Sequence, residues 1–402
     1  MSKVRHFAKK SSLNYEQLRT FVYSKETLDV QNKITQELRK WGVSCSQSLD
    51  NKQIEKYRKR SVINFLNSFN IVQSYKDMSS DEDVTVMLIC LLALFDPSAS
   101  ILIAVSSIAF RKVIKFMGTR KHLHYCDAAF SGEIIGAFCL TEIGHGSNIK
   151  LLQTTATYDN INDEFVINTP TFEAAKCWSE NLGILATHII LYARLITPDG
   201  EEHGLHGFIV SIRNAKTLLP HPGITISNIG EKLALNGSDH GFLVFNNYRI
   251  PHEGLLNKFA DVTKEGVYSM HKDEHQQLFT SFAILVTQRI SLISIYSGYS
   301  LPITLSLRYA AKSLGNQSYQ YRLIPYVAMG YVGIMFAKKL REMEGRYIDY
   351  QNDSENVKSF LFGIEMLMVT SASKWLYTTL SRHYSSDCFE ASQKHAYLQS
   401  TY

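Results

Sequence analysis

The feature that most constrains this chain is a change of hydrophobic period, made twice. Apolar residues recur at helical spacing from about residue 14 to 40 and from 51 to 76, as in Leu18, Phe21 and Val22 or Ile63, Leu66 and Phe69. Near Gly136 the period shortens to that of strands, and from Leu278 the helical period returns. Short chain-local alternation cannot be satisfied in a helix, nor a 3.6-residue stripe in a strand, so the order helix, strand, helix is imposed. The expected fold class is α+β multidomain. It has an N-terminal helical domain (1–135), a middle β-barrel or sandwich domain (136–268), a C-terminal helical bundle (275–384) and a disordered polar tail (385–402).

Inside the helical regions, Val84 to Phe110 is the most apolar stretch, broken by Asp96-Pro97. Neither half reaches the roughly 18–20 apolar residues of a membrane crossing, so two buried helices joined at that dipeptide are expected, and no membrane span. A further buried helix is expected over Ile101 to Met117. In the middle region, TTATYDNINDEFVINTP (Thr154–Pro170) reads as a hairpin, two β-rich runs around a polar turn. Further strands are expected at His188–Leu195, Gly207–Ile212 and Gly241–Asn246. Pro198-Asp199-Gly200, Pro220–Gly223 and Asn236-Gly237-Ser238 separate them as turns. Later helical segments are expected at Ile284–Tyr299, Ile303–Leu314, Tyr326–Tyr347 and Val357–His383.

Charge and cysteine usage exclude more than they propose. The 42 basic and 37 acidic residues leave +5, too small an excess to argue for nucleic acid. Two basic runs, Lys3–Lys10 and Lys52–Arg60, read as solvated faces, with a partner or polyanion contact as the alternative. None of the six cysteines forms a CxxC pair, so reduced buried thiols and no metal are expected. His122 and His124, and the two histidines of HKDEH (His271–His275), lack the context of a metal site. No secretory signal opens the chain, and Ser400–Tyr402 is not a C-terminal address of the SKL kind.

The most informative string is TEIGHGS (Thr141–Ser147). It places a hydroxyl and a carboxylate ahead of a Gly-x-Gly turn, which exposes backbone amides and lets a flat ligand approach. It is not a dinucleotide-binding fingerprint, because it precedes a strand. Taken with TTATYD, FVINTP, GLHGFIV and NIGEKLALNGSDHGFLVFNNYRIP, in that order from about residue 125 to 268, and with QYRLIP (Gln320–Pro325), the chain resembles the acyl-CoA oxidase family. The wording separates it from the related acyl-CoA dehydrogenases.

The resemblance implies an FAD enzyme of fatty-acid β-oxidation. A glutamate would remove the α-proton of a fatty acyl-CoA, a hydride would pass to flavin, and molecular oxygen would reoxidise it with release of hydrogen peroxide. It implies a peroxisomal homodimer, or association with a related subunit. Position by position, Thr141 matches a flavin-contacting threonine and Trp178 a tryptophan near the flavin. Glu180 stands where the family has a flavin-contacting glycine and Asn181 where it has the next. Counting from Tyr309, the family's phosphate-binding arginine falls on Ser313, with Lys312 one residue early. No carboxylate stands near Tyr377, the position aligned with the family base. Glu365 reads as a helix surface and Glu390 as part of the tail, so no catalytic base is found. The C-terminal region reads as shortened, which would leave some of the apolar residues Val327, Met335, Phe336, Leu361, Phe362, Leu367 and Trp375 uncovered. The alternative is a non-catalytic relative that binds acyl-CoA or a full-length partner without turnover.

Overall fold

A computed structural model of the 402-residue chain describes residues 14–41, 51–75, 81–146, 148–270, 286, 289–294, 317–352 and 357–391. The segments Lys3–Lys10, HKDEH and RYAAKSLGN with Ser313, the helix expected at 303–314 and most of that at 284–299 lie outside the described residues. The chain divides into two compact units: Ser44–Ser74 with Asp96–Ile284, and Met1–Val43 with Tyr75–Phe95 and Leu285–Tyr402. The N-terminal helices are therefore shared between the two.

In the first unit, helix α3 (Asn51–Tyr75) and the apolar run after Asp96 flank a β core. (Helices α1, Tyr15–Val22, α2, Lys25–Trp41, and α4, Asp81–Phe95, belong to the other unit.) Asp96 and Pro97 make the break read from sequence. Pro97 opens α5 (Pro97–Ala104), where no amide partner is needed, and the Asp96 carboxylate accepts from the Ala99 amide at 3.1 Å. It also takes Ser61 Oγ (3.0 Å) and Asn64 Nδ2 (2.9 Å) from α3, which locks the two helices together. Burial raises the Asp96 carboxyl above its ordinary range, against these donors. The helix expected over Ile101–Met117 is instead interrupted by a π-helical turn, Val105–Phe110, before α6 (Arg111–Met117), which α7 (Leu123–Ser131) follows. The wide turn brings Ser106 Oγ to the Gly136 amide at 3.1 Å, which seats the first strand. A Cβ on Gly136 would lie 2.4 Å from the Phe110 ring, so only glycine lets strand and helix meet this closely.

The sheet strands are β1 (Gly136–Cys139), β2 (Thr155–Asp159), β3 (Glu164–Asn168), β4 (Lys176–Glu180), β5 (His188–Ile196), β6 (Glu202–Ser211), β7 (Ile224–Asn228), β8 (His240–Phe245) and β9 (Tyr248–Pro251). The β2–β3 hairpin is antiparallel in the register Thr155 to Asn168 through Asp159 to Glu164. β5 is the axis: β1 and then β2 run parallel along one of its edges, and β6 pairs antiparallel on the other. Both faces of β5 are buried, which explains its nearly unbroken apolar run HIILYARLI. Ile189, Leu191, Ala193 and Leu195 join a core with Tyr158, Phe165, Phe208, Leu243 and Phe245. Ile190 and Tyr192 join a second core with Phe110, Ile114 and Met117 from the helices. Phe165 and Phe208 are fully buried and meet edge to face at 5.2 Å. A separate sheet orders β4, β8 and β7.

In the second unit, α8 (Gln317–Asn352) and α9 (Val357–Ala391) pack with Val286, Ile290 and Ile293 around Ala337, Leu340, Met366 and Tyr377. The polar segment from Ser385, expected to be disordered, is helical as far as Ala391. Its stabilising partners are remote in sequence: Asp387 meets Arg322 and Tyr326, Glu390 meets Arg322 at 2.8 Å, and Cys388 is buried beside Leu323. The stretch Gln320–Tyr347 is long and apolar enough to cross a membrane by those two measures alone; the core helix of a soluble protein passes the same test. Leu323, Ala337, Leu340 and Glu344 on it are buried in protein. Met335, Leu361 and Trp375 are exposed, whereas Phe336, Phe362 and Leu367 pack against the core.

Candidate active site

The turn Thr141–Gly146 is pinned from beneath. Glu142 is a buried carboxylate that accepts from the amides of Gln153 (2.8 Å) and Thr154 (2.9 Å), from Thr154 Oγ1 (2.6 Å) and from Lys176 Nζ (3.0 Å). Lys176 is fully buried and also donates to the Leu140 carbonyl. Burial would raise the Glu142 carboxyl, but Lys176 and the Thr154 and Gln153 donors outweigh it and hold it below the carboxylate range. Burial pushes the Lys176 ammonium down, opposed by Glu142. With its oxygens satisfied in this way, the carboxylate is a clamp and not a reacting group. A lysine inside the apolar string AAKCW was the one sequence sign of such a pair. His145 closes the turn through reciprocal backbone bonds with Glu142 (3.0 and 3.1 Å), and its ring meets the Gln153 amide.

The clamp aligns two backbones. Thr141 accepts from the Cys177 amide (3.0 Å), Ile143 donates to Ala175, and Glu142 bridges Lys176. Thr141 and Trp178, 37 positions apart in sequence, thus stand on adjoining chains. Trp178 is the extra residue of a bulge where β4 pairs with β8, and its φ is +62°. A bulky side chain in the left-handed region costs on the order of 1–3 kcal/mol, and such strain concentrates at functional sites. The bulge turns the indole outward, 59% exposed. Leu235, also at positive φ (+58°), faces the same space.

Together these residues wall a cavity of about 660 Å³, lined by Ile143, Trp178, Lys232, Leu235, His240 and Phe242 among others. That volume suits a small organic ligand, and the lining is mostly apolar. Glu180 does not line it. Its carboxylate stands 3.5 Å from His240 Nε2, and His240 Nδ1 shares a 2.9 Å hydrogen bond with Ser238 Oγ. The His240 ring also meets Trp178 edge to face at 6.1 Å. Asn181, at φ +66°, is turned into the protein and donates to the carbonyls of Leu102 and Gly136. What these two side chains meet was not readable in sequence, because the partners, His240 and Leu102, are remote.

The other candidates are structural. His122 is buried and bonded to the Thr119 amide (2.9 Å) and the Glu253 carbonyl (3.0 Å). Among the described residues no group of three or more potential ligands could hold a metal. Tyr377 is buried and stacked on Phe336 at 5.9 Å, and burial pushes its phenol up. Glu365 is exposed, and Glu390 is engaged by Arg322.

Residues 137–248 match the family model described as acyl-CoA dehydrogenase, middle domain. The chain is similar to human peroxisomal acyl-coenzyme A oxidase 3, at 36% identity over 365 residues, 86% of this chain and 52% of that protein. It is similar to acyl-coenzyme A oxidase acox-3 of Caenorhabditis elegans, at 32% over 349 residues, 81% and 51%. The chain spans about half the length of these curated relatives. Among solved structures, Arabidopsis thaliana acyl-CoA oxidase 1 superposes with a TM-score of 0.81 at 27% identity, covering 97% of this chain and 60% of that one. The C. elegans acyl-CoA oxidase-1 complexed with FAD and ATP gives 0.75 at 26%, covering 92% and 55%.

Proposed function

Because the chain belongs to the acyl-CoA oxidase family over the span it shares with these relatives, we propose that it is an FAD-dependent acyl-CoA oxidase-like protein of peroxisomal fatty-acid β-oxidation. Its cavity beside Trp178 is the flavin and acyl-CoA site, and it acts as a homodimer or with a related subunit. The observation that carries this is the convergence of Ile143 and Trp178 on one strained, apolar wall, with Thr141 bonded to the adjoining Cys177 backbone and the turn held by a buried ion pair.

The residues present fit a flavin. Trp178 offers an exposed flat ring, Ile143, Leu235 and Phe242 are apolar, and the Glu180 carboxylate faces His240, which leaves Glu231, beside Lys232, as the carboxylate on the lining. Thr141 is half-buried on the backbone that adjoins Cys177 of the wall, and its hydroxyl spends no hydrogen bond within the described residues, so it is available to orient a polar ring edge. When bound, FAD supplies an acceptor for the β-hydride of the acyl chain and for onward transfer to oxygen. The chain's own part is to bind, align and dry the reactants. Apolar walls exclude water, which strengthens every hydrogen bond made to a thioester carbonyl there. The Glu142–Lys176 clamp fixes Thr141 against β4, so that ring and substrate are held in one register.

The test is an absorbance spectrum after saturation with FAD and desalting, followed by anaerobic addition of a fatty acyl-CoA. A retained visible band that bleaches, with peroxide formed on readmitting oxygen, is expected. A band that does not bleach would establish binding without turnover, the reading that Tyr377 at the aligned base position favours. Loss of all flavin would overturn the cofactor assignment.

A further inference from the structure

The basic run Lys52–Arg60 is not one solvated face. Lys59 is exposed and pairs with Glu55 at 2.7 Å along the helix, but Arg58 turns inward toward the loop between β7 and β8. Gly237 sets how close that loop comes. A Cβ there would lie 2.3 Å from Ser61 Oγ on α3 and 2.9 Å from Ser98 Cβ, so only glycine allows the approach. One turn back along α3, Arg58 Nε donates to the Asn236 carbonyl at 3.4 Å. The Asn236 side chain braces Lys232 on both sides: Oδ1 accepts its amide and Nδ2 donates to its carbonyl, each at 2.8 Å. The Lys232 ammonium donates to the Ser238 carbonyl at 3.2 Å and borders the cavity.

Two cations are thus fastened to one short loop, Arg58 at the Asn236 carbonyl and the Lys232 ammonium at the Ser238 carbonyl. Neither forms an ion pair with a carboxylate among the described residues, and each keeps donors that these bonds leave unused. Burial pushes the Lys232 ammonium down and the Arg58 charge pushes it further, against Asp239. Asp239 is itself occupied, accepting from the amides of Ile184 (2.6 Å) and Leu185 (2.9 Å) and from Asn228 (3.0 Å). Holding like charges together and half out of water is unfavourable until an anion joins them. The neighbouring cavity is mostly apolar, with Glu231 the carboxylate on its lining and, among the described residues, unpaired with Lys232, so the anion belongs to a ligand whose remainder is apolar or flat.

We propose that Arg58 and Lys232 bind a phosphate group of the nucleotide-bearing ligand that occupies this cavity. The inference deepens the flavin and acyl-CoA reading and rests on it for the identity of the ligand's apolar part. A planar guanidinium fork beside a compact ammonium suits phosphate oxygens, which accept several charge-assisted hydrogen bonds at once. Coenzyme A and FAD both carry such groups.

The test is calorimetric titration of the full chain and of its Arg58→Ala/Lys232→Ala variant at low salt with coenzyme A, FAD, pantetheine, riboflavin and inorganic pyrophosphate. In the variant, coenzyme A or FAD is expected to bind tenfold or more weakly and with a flatter salt dependence, while pantetheine and riboflavin are unchanged and pyrophosphate binding is lost. Loss confined to coenzyme A assigns the phosphate to the substrate; loss confined to FAD assigns it to the flavin. Lys232→Arg should retain wild-type affinity, which separates lost charge from a collapsed loop. Unchanged affinities, equal weakening of the phosphate-free pair, or no pyrophosphate binding by the wild type would each overturn the proposal. A chain that retains no FAD but binds pyrophosphate and coenzyme A through these two residues would sink the flavin reading and leave this one standing.

Discussion

The two units each hold a cluster of opposite charges between elements remote in sequence, and the clusters differ in their surroundings. In the β unit Glu142 and Lys176 meet with no exposed side-chain surface, and each is also bonded to neutral backbone or hydroxyl groups. In the helical unit Arg322 meets Asp387 and Glu390 with 41% of its own side chain and 59% of Glu390's in solvent. The chemistry is the same, but water does most of the work for the second pair and none for the first. Removing a partner from the first strands a charge in a low dielectric; removing one from the second lets water take its place.

The sharpest way to break this comparison is Lys176→Met. It leaves the Glu142 carboxylate buried without its cation and should cost the β unit about 3–5 kcal/mol. Trp178 is the one tryptophan between Ser44 and Ile284, so its emission in a Trp41→Phe/Trp375→Phe background reports urea unfolding of that unit. A loss below about 1 kcal/mol would show that the pair is not sealed from water.

Acid should act on the β unit in two stages. His206 is buried and pushed down to about 4. The unfolded chain therefore binds its proton first, so this group's stability is complete above about pH 6.5 and falls as pH drops toward 4, by roughly 3 kcal/mol. His188, also pushed down to about 4 by burial, adds to the decline in the same window. Glu142, held below the carboxylate range, contributes stability above about 4.5 that is lost as pH falls through its lower folded value. Unfolding midpoints measured from pH 7.5 to 4 should decline, and His206→Gln should flatten the upper part of that decline. A midpoint independent of pH across that window would contradict the burial of His206.

The smallest effect belongs to the exposed cluster. Arg322→Ala should cost under about 1 kcal/mol, and 1 M salt should erase most of it. A cost of several kcal/mol, followed through Trp375, would mean that the end of α9 depends on this cluster far more than its exposure allows.

Much of this architecture was legible in the sequence. Asp96-Pro97 announced a helix break, because a proline without an amide and an aspartate that caps are local facts. The Thr154–Pro170 hairpin followed from two β-rich runs around a polar turn, and β5 from its β-branched and aromatic residues, but the burial of both faces of β5 came from the structure. The π turn at Val105–Phe110 was not legible, since its cause is Ser106 meeting Gly136 across 30 positions. The polar residues from Ser385 looked disordered for the same reason: the groups that hold them, Arg322 and Tyr326, lie more than sixty residues earlier.

The candidate site divides along the same line. Sequence by itself determined which residues were chemically unusual, a carboxylate before a Gly-x-Gly turn and a basic run at Lys52–Arg60, and the family resemblance added Glu180 and Asn181. Only the tertiary structure decided what each one does. It gave Glu142 a buried lysine, turned Glu180 toward His240 and Asn181 into the protein, and laid Arg58 beside Lys232. The physical reason is that a side chain's type is local, whereas its charge state and reach are set by the partners and water around it, and those are chosen by chain segments tens to hundreds of residues away.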